Sequence, residues 1–359
     1  MAECARARAR WVIGCDGGSS TVRTGLAEFG MALDDLDFDE PWLVVDVKVN
    51  PRGLAKLPAT SVQYCEPQRP CTLVIGPGNH RRWEIALQPG EDAAAAATPA
   101  GTWALLARWL TPQDGELWRQ ASYRFHALVA RQWRVGRVFV AGDAAHMQPP
   151  FLGQGMCQGI RDAANLAWKL AAVVHGRAPA RLLDSYGLER AAHVRELTQR
   201  IKAVGAVVSE RDLAKARARD ARLLAECGGV VKDTPRQDLM PPLTCGLISA
   251  SPGAGLLFPQ PRLAGGSLMD DHFGCGWRLV HDGLTGAGEV AQRGDLNNID
   301  LSQVPEADAV VAQWLQRHQA RAAIVRPDHY VYGTASDAAA LAALAAVLSA
   351  DLSAVLSAA

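Results

Sequence analysis

The stretch RVFVAGDAAHMQPPFLGQGMCQGIRDAANLAWKL, residues 137–170, decides the fold. Its β-branched and aromatic start, residues 137–141, predicts a strand. The strand halts at Gly142-Asp143 and a turn follows that holds Pro149, Pro150, Gly153 and Gly155. Beyond it, Ile160, Ala163, Ala164, Ala167 and Leu170 recur at helical spacing. A strand that ends in Gly-Asp and re-enters a helix through glycines suits a polar ligand. Glycine lets the backbone approach closely, and the Asp143 carboxylate accepts hydrogen bonds from ligand hydroxyls. The first helical turn directs unpaired N–H groups and a positive dipole end at an anionic group. Gly-Asp alone is an ordinary turn signal; the specificity lies in the whole string.

Around this stretch, 359 residues leave room for two or three domains, and a hydrophobic content of 49% is ample for their cores. Lys+Arg and Asp+Glu both number 37, so bulk charge favours neither a nucleic-acid nor a membrane-surface partner. No apolar run reaches the length of a membrane span. The eight cysteines are scattered, without C-x-x-C and without paired spacing to histidine. Neither a metal site nor a disulfide framework is expected, and reduced thiols in a cytoplasmic protein are the default. The basic start MAECARARAR lacks the apolar core of a secretory signal and is too short to argue for a transit peptide.

Trp11-Val12-Ile13-Gly14 predicts a short buried strand, running into Cys15-Asp16-Gly17-Gly18, a strong turn signal. Ser19 or Ser20 can cap the helix that follows. Between residues 26 and 128, runs at 42–49, 61–65, 71–75, 82–87 and 117–125 predict antiparallel strands, with a helix at 100–110. Tyr64, His80, Arg81 and Arg82 lie on or beside these strands. A carboxylated aromatic ligand needs a basic partner, which makes Arg81 and Arg82 candidates; the bland alternative is a solvated edge. Residues 186–225 read as helical and 227–252 as a long loop. A strand at 276–280, a helix at 307–318, strands at 322–325 and 330–332 and a helix at 336–348 complete a βαββα order.

Taken together, Gly142-Asp143-Ala144-Ala145-His146, Pro149-Pro150, Gly153-Gln154-Gly155 and the run from Asp162 to Leu170 resemble the second flavin-binding motif of the class A FAD-dependent aromatic hydroxylases. Gly14, Asp16, Gly17, Ser20, Val22 and Arg23 resemble a further motif of that family, which lies near the cofactor pyrophosphate. The wording around Asp35–Asp46, Gln63-Tyr64-Cys65 and His80–Glu84 is most similar to the 3-(3-hydroxyphenyl)propanoate hydroxylases. The resemblance implies FAD as cofactor, NADPH or NADH as reductant, and dioxygen and a small phenolic acid as substrates, hydroxylated ortho to its hydroxyl. It implies cofactor contacts at Asp16, Gly17, Arg23, Gly142, Asp143, Pro149, Gly153, Gln154, Gly155 and Met156. Asp143 would hold the ribityl chain, and the turn from Gly153 to Met156 would aim N–H groups at the pyrimidine edge. Tyr64, Arg81 and Arg82 are the substrate candidates; His146 is expected to be a structural hydrogen-bonding residue. A homodimer is a further implication, since helices after the second motif often reach a partner in this family.

A Rossmann-type FAD protein opens with a strand, Gly-x-Gly-x-x-Gly and a helix. The sequence contains none, and Gly76-Pro77-Gly78 has the wrong spacing. In the family that motif lies upstream, so the chain is expected to match the C-terminal two-thirds of a member. The competing expectation is a truncated, catalytically inactive remnant, or a subunit needing a separate ADP-binding chain. A flavin halogenase is disfavoured because no Trp-x-Trp-x-Ile-Pro segment occurs. The fold class expected is α/β (α+β mixed): an incomplete Rossmann-like FAD-binding domain (1–25 and 129–226) with an inserted antiparallel substrate sheet (26–128). A linker (227–255) and a thioredoxin-like C-terminal domain (256–359) follow, the latter without the C-x-x-C of dithiol chemistry.

Overall fold

The computed structural model describes residues 7–230 and 236–357. Strand β1 (Val12–Gly14) leads through a turn into helix α1 (Thr21–Gly25). The long strand β2 (Leu33–Val49) follows, then α2 (Pro51–Leu54), β3 (Val62–Tyr64), β4 (Cys71–Ile75), β5 (His80–Ala86), α3 (Ala93–Ala96), α4 (Pro99–Leu106) and a second long strand, β6 (Gly115–Ala130). Strands β7 (Arg134–Val135), β8 (Val138–Val140) and β9 (His146–Met147) precede three long helices, α5 (Gly155–Val174), α6 (Asp184–Val208) and α7 (Leu213–Cys227). The C-terminal part comprises α8 (Met269–Phe273), β10 (Arg278–His281), α9 (Ala287–Arg293), β11 (Asn297–Asp300), α10 (Val310–Arg317), β12 (Ala322–Val325), β13 (Val331–Ala335) and α11 (Ala338–Ser357).

Three sheets result. In the smallest, β1 pairs in parallel with β8, and β7 closes it antiparallel. This parallel pair, backed by α5 and α6, is the Rossmann-like element. The six-stranded sheet has the order β3-β4-β5-β2-β6-β9 and is antiparallel throughout. The third sheet has the order β11-β10-β12-β13, with β10 and β11 parallel and the rest antiparallel, a thioredoxin-like arrangement.

The period of two along a strand sorts the six-stranded sheet into two unlike faces. Leu43, Val45, Val47, Val49, Leu73, Trp83 and Ile85 point to one side and pack under Leu106 and Leu110, at and just beyond the end of α4. Trp42, Val44, Asp46, Glu84 and Ala86 point to the other, and there Trp42 and Ala86 pack against Phe151, Leu197 and Ile201. A further core joins Trp133, Phe139, Val140, Leu166, Tyr186 and Val194 beneath the parallel pair.

The structure departs from the sequence-based expectations in several places. Strand β2 starts well before 42 and β6 ends well beyond 125; the added part of β2 is rich in aspartate, and its pairing with β6 shifts register between Asp35 and Asp39. Asp37 there adopts a φ of 58°. The helical run 186–225 divides into α6 and α7, since Asp212 caps a new helix by accepting from the Lys215 N–H. Helix α9 and strand β11 were not expected: Asn297 and Asn298 are polar and exposed, so the strand carries no apolar signature. The C-terminal order is therefore βαβαββα. Strand β1 was expected to be buried, yet Val12 and Ile13 are 44% and 41% exposed along its unpaired edge. Part of the expected linker, residues 231–235, lies outside the described residues.

Candidate active site

The turn after β8 is held by a single buried carboxylate. Asp162, on α5, accepts the Gly142 N–H at 2.9 Å and shares a 2.8 Å hydrogen bond with His146 Nε2, both through Oδ2. Its Oδ1 accepts from Arg190 Nε on α6 at 2.8 Å, and Arg190 Nη2 continues to Gln158 Oε1. Burial alone would raise the Asp162 pKa; the bonds and charges of His146 and Arg190 outweigh it and hold the carboxyl below its ordinary range. Gly142 has a φ of 61°, which favours glycine. Its Cα also faces Gly159 so closely that a Cβ on Gly159 would come within 3.3 Å. The turn therefore sits directly on α5.

Asp143 projects from this pinned turn. It is exposed and has no hydrogen-bond or ion-pair partner among the described residues. Its neighbours Ala144, Ala145 and His146 are buried, and His146 stacks on Trp133 at 5.6 Å. His146 is thus bonded and packed within the protein, between Asp162 and Trp133.

Pro149 is buried, while Gly153 is exposed with a φ of 62° and open space around its Cα. Gln154, at the cap of α5, is buried and makes no side-chain cap bond; its Oε1 accepts from Arg161. The start of α5 thus has no side-chain cap, and beside it lie Gly155 with open space around its Cα and Met156, which is 77% exposed. Partnerless Asp143, glycines without Cβ obstruction and an uncapped helix start are the features that fit the hydroxyl-bearing and anionic parts of a flavin.

The first motif is tied to the second. Asp16 Oδ1 accepts the Ser20 hydroxyl at 2.5 Å and its Oδ2 accepts the Val22 N–H at 3.1 Å, while Ser20 Oγ caps α1 by accepting the Arg23 N–H. These bonds hold the Asp16 carboxyl below the usual range. Gly17 lies at the apex of that turn. Arg23 is buried, and its guanidinium donates to the carbonyls of Ala144 at 2.7 Å and Gly18 at 2.6 Å. It is neither a surface charge nor turned outward, but a clamp between the two motifs.

The sheet's two faces separate the substrate candidates. Tyr64 packs against Trp109 with ring centroids 5.4 Å apart and tilted, under the Arg108 guanidinium, on the helix-covered side. Arg81 pairs in register with Val47 on that same side and donates to the Gly78 and His80 carbonyls. Only Arg82 lies on the face shared with Trp42 and Ala86, and there it forms a two-pronged bond to Asp46, which also bonds His80. Burial pushes the Asp46 carboxyl up, but Arg82 and His80 prevail and hold it low. Trp118, Arg119, Asp46, His80 and Arg82 line a cleft of about 450 Å³.

Sequence reading assigned no role to Gln63, Thr72 and Glu84, which share this face. Gln63 Nε2 donates to the Phe151 carbonyl at 3.0 Å, drawing the loop with Pro149 and Gly153 onto the sheet. Strand periodicity alone would have grouped Arg82 with Glu84 and separated both from Arg81. Elsewhere, Asp270, Cys275 and His329 converge within 4.8 Å, but the Arg278 guanidinium already bonds Asp270 and His329 there.

Residues 2–201 match the family described as FAD binding domain, and residues 285–350 match the HcaD C-terminal domain. The chain is 41% identical over 357 residues to the probable NADH-specific resorcinol 4-hydroxylase of Rhodococcus jostii (strain RHA1), covering 94% of this chain and 65% of that protein. It is 34% identical to the 3-(3-hydroxy-phenyl)propionate/3-hydroxycinnamic acid hydroxylase of Burkholderia cenocepacia (strain HI2424), covering 93% and 67%. Among solved structures, aklavinone-11 hydroxylase in a ternary complex with FAD and aklavinone superposes with a TM-score of 0.69 at 24% identity, over 96% of this chain and 68% of that one. The chain thus spans about two-thirds of the length of the relatives it matches, 65% of the first. With its flavin-type turn, antiparallel sheet and these matches, the chain belongs to the class A FAD-dependent aromatic hydroxylases.

Proposed function

We propose that this chain carries the ribityl-and-isoalloxazine half of an FAD site and the substrate face of an NAD(P)H-using monooxygenase. The reaction is hydroxylation of a phenolic ring ortho to its hydroxyl. One observation carries the reading: an exposed Asp143, without a partner among the described residues, beside the uncapped start of α5, on a turn that buried Asp162 ties to that helix. The chemistry that FAD brings when bound is reduction by NADH or NADPH and delivery of one atom of dioxygen. Asp143 accepts hydrogen bonds from the ribityl hydroxyls, and the amides of Gly155 and Met156 stabilise negative charge at the pyrimidine edge. Asp16 and Gly17 shape the turn near the pyrophosphate, and Arg23 acts as a positioning residue by locking that turn to Ala144. Trp42 of the sheet and Phe151 of the loop meet edge to face, ring centroids 5.5 Å apart, which joins the loop to this face of the sheet.

The unpaired, apolar edge of β1 is where further polypeptide holding the ADP half would pack. By this reading residues 1–25 and 129–226 serve the cofactor, 26–128 the substrate, and 256–359 a supporting role. The phenol is of the kind named for the relatives, resorcinol or 3-(3-hydroxyphenyl)propanoate. The test is to supply the purified chain with FAD and follow NADH and NADPH oxidation on adding either phenol, with mass spectrometry of the product. A product one oxygen atom heavier is expected. A chain that takes up no FAD, or oxidises NAD(P)H without modifying either phenol, overturns the proposal.

A further inference from the structure

Glu84 sits on β5 in register between Val44 of β2 and Thr72 of β4, on the face that also carries Trp42 and Gln63. It is 7% exposed and has no hydrogen-bond or ion-pair partner among the described residues. The hydroxyl of neighbouring Thr72 is fully buried without a partner. Buried polar groups without partners are costly, and a bound ligand, ion or water is one way of satisfying them. The two groups lie on the face against which Gln63 holds the Phe151 carbonyl, and so beside the turn from Pro149 to Gly153.

The charges around Glu84 decide what could satisfy it. Arg82 is the nearest cation along the strand, but both prongs of its guanidinium are on Asp46, and His80 is on Asp46 as well. Lys48 lies over the Trp118 ring, and exposed Arg119 bonds the Tyr123 hydroxyl, both toward the open cleft. Val44, Thr72 and Ala121, the groups in register beside Glu84, bring no positive charge. The Glu84 carboxyl is thus an acceptor without a bonded partner among the described residues, with Arg82 acting on it only through space.

We propose that Glu84 selects the ring substituent of the substrate, accepting a hydrogen bond from a phenolic hydroxyl and disfavouring aromatics that carry a carboxylate. This rests on the reading of the chain as a phenol hydroxylase. It points to a neutral dihydroxybenzene over a phenolic acid. Burial pushes the Glu84 carboxyl up to about 7, with Arg82 and Asp46 acting on it in opposite senses, so its charge varies across neutral pH.

Resorcinol and 3-(3-hydroxyphenyl)propanoate are titrated into the full chain supplied with FAD. Tryptophan fluorescence, with Trp42 on this face, reads ligand binding, and flavin absorbance reads FAD retention independently. At about pH 8 the wild-type chain is expected to bind resorcinol at least about tenfold more tightly than the carboxylate, through like-charge repulsion. At about pH 6 the gap narrows, because Glu84 gains a proton while the ligand carboxylate stays ionised. Glu84→Gln closes the gap at both pH values. A wild-type chain that binds neither ligand, prefers the carboxylate, or shows a gap unmoved by pH overturns the assignment, as does a Glu84→Gln chain with wild-type selectivity. The pH arm needs no variant, so it decides the matter if Glu84→Gln does not fold. Intact selectivity in a chain that retains no FAD overturns the hydroxylase reading instead, which separates the two failures.

Discussion

Asp143→Ala separates ligand binding from folding more cleanly than other changes in this site. The side chain is exposed and makes no bond within the described chain, so its loss leaves no buried group unpaired and opens no cavity. Surface changes of that kind alter stability by about 0.5 kcal/mol or less. The turn itself is held by other atoms, the Gly142 N–H and His146 on Asp162. A hydrogen bond to a charged acceptor contributes roughly 1.5–3 kcal/mol, so one lost bond to a ribityl hydroxyl weakens FAD binding roughly 10- to 150-fold. The assay pairs FAD titration by flavin fluorescence quenching with urea unfolding on the same preparations. An FAD affinity within about twofold of wild type would refute the role given to Asp143, because a single charge-assisted bond exceeds that. A stability loss well above about 1 kcal/mol would refute the separation itself, by placing Asp143 in the fold rather than at the ligand.

Asp162→Asn should behave in the opposite way. It leaves Arg190 as an uncompensated buried charge and turns an amide donor toward other donors, costing about 3–5 kcal/mol in urea unfolding, with FAD affinity falling as the turn loosens. Glu189→Gln should cost a similar amount, about 3–5 kcal/mol, because Lys169 and Arg326 meet on that carboxylate in full burial; hydrogen exchange should show the C-terminal sheet loosening first. Glu84 sets a pH dependence of the opposite sign to a salt-bridged acid. Its folded value, about 7, lies above its ordinary 4.5, so its contribution to stability falls as pH rises through that window. Glu84→Gln should therefore recover up to roughly 3 kcal/mol at pH 8 and nothing at pH 4, read as the difference in urea midpoints between the two pH values. Trp83→Ala should cost about 3–5 kcal/mol by leaving a cavity in the helix-covered core of the sheet, measured by the same unfolding.

Much of the architecture was legible locally. Residues 137–170 announced a strand, a glycine turn and a helix because each feature depends on neighbours in sequence: apolar runs, helical spacing, backbone freedom at glycine. The cap on α1 followed the same logic, with Ser20 accepting the Arg23 N–H. What sequence left open depended on which distant residues meet. Arg23 carries a charge that could point anywhere until the fold places the Ala144 carbonyl 2.7 Å away. Alternation along β5 puts Arg81 and Arg82 on opposite faces, but only the packing of Leu106 and Leu110 shows that the Arg81 side is the one covered by helix. Asp162 was one letter in a helical run until Gly142, His146 and Arg190 converged on it from three other segments. Strand β11 carried no periodic signal, because it is an edge strand with polar, exposed residues and forms only through its parallel pairing with β10. Local sequence carried the turns and the strongly periodic helices and strands, though not α9, β11 or the break between α6 and α7. Which charges are buried against each other, and which face of the sheet is covered by helix, depended on contacts between residues far apart in the chain, which no local pattern encodes.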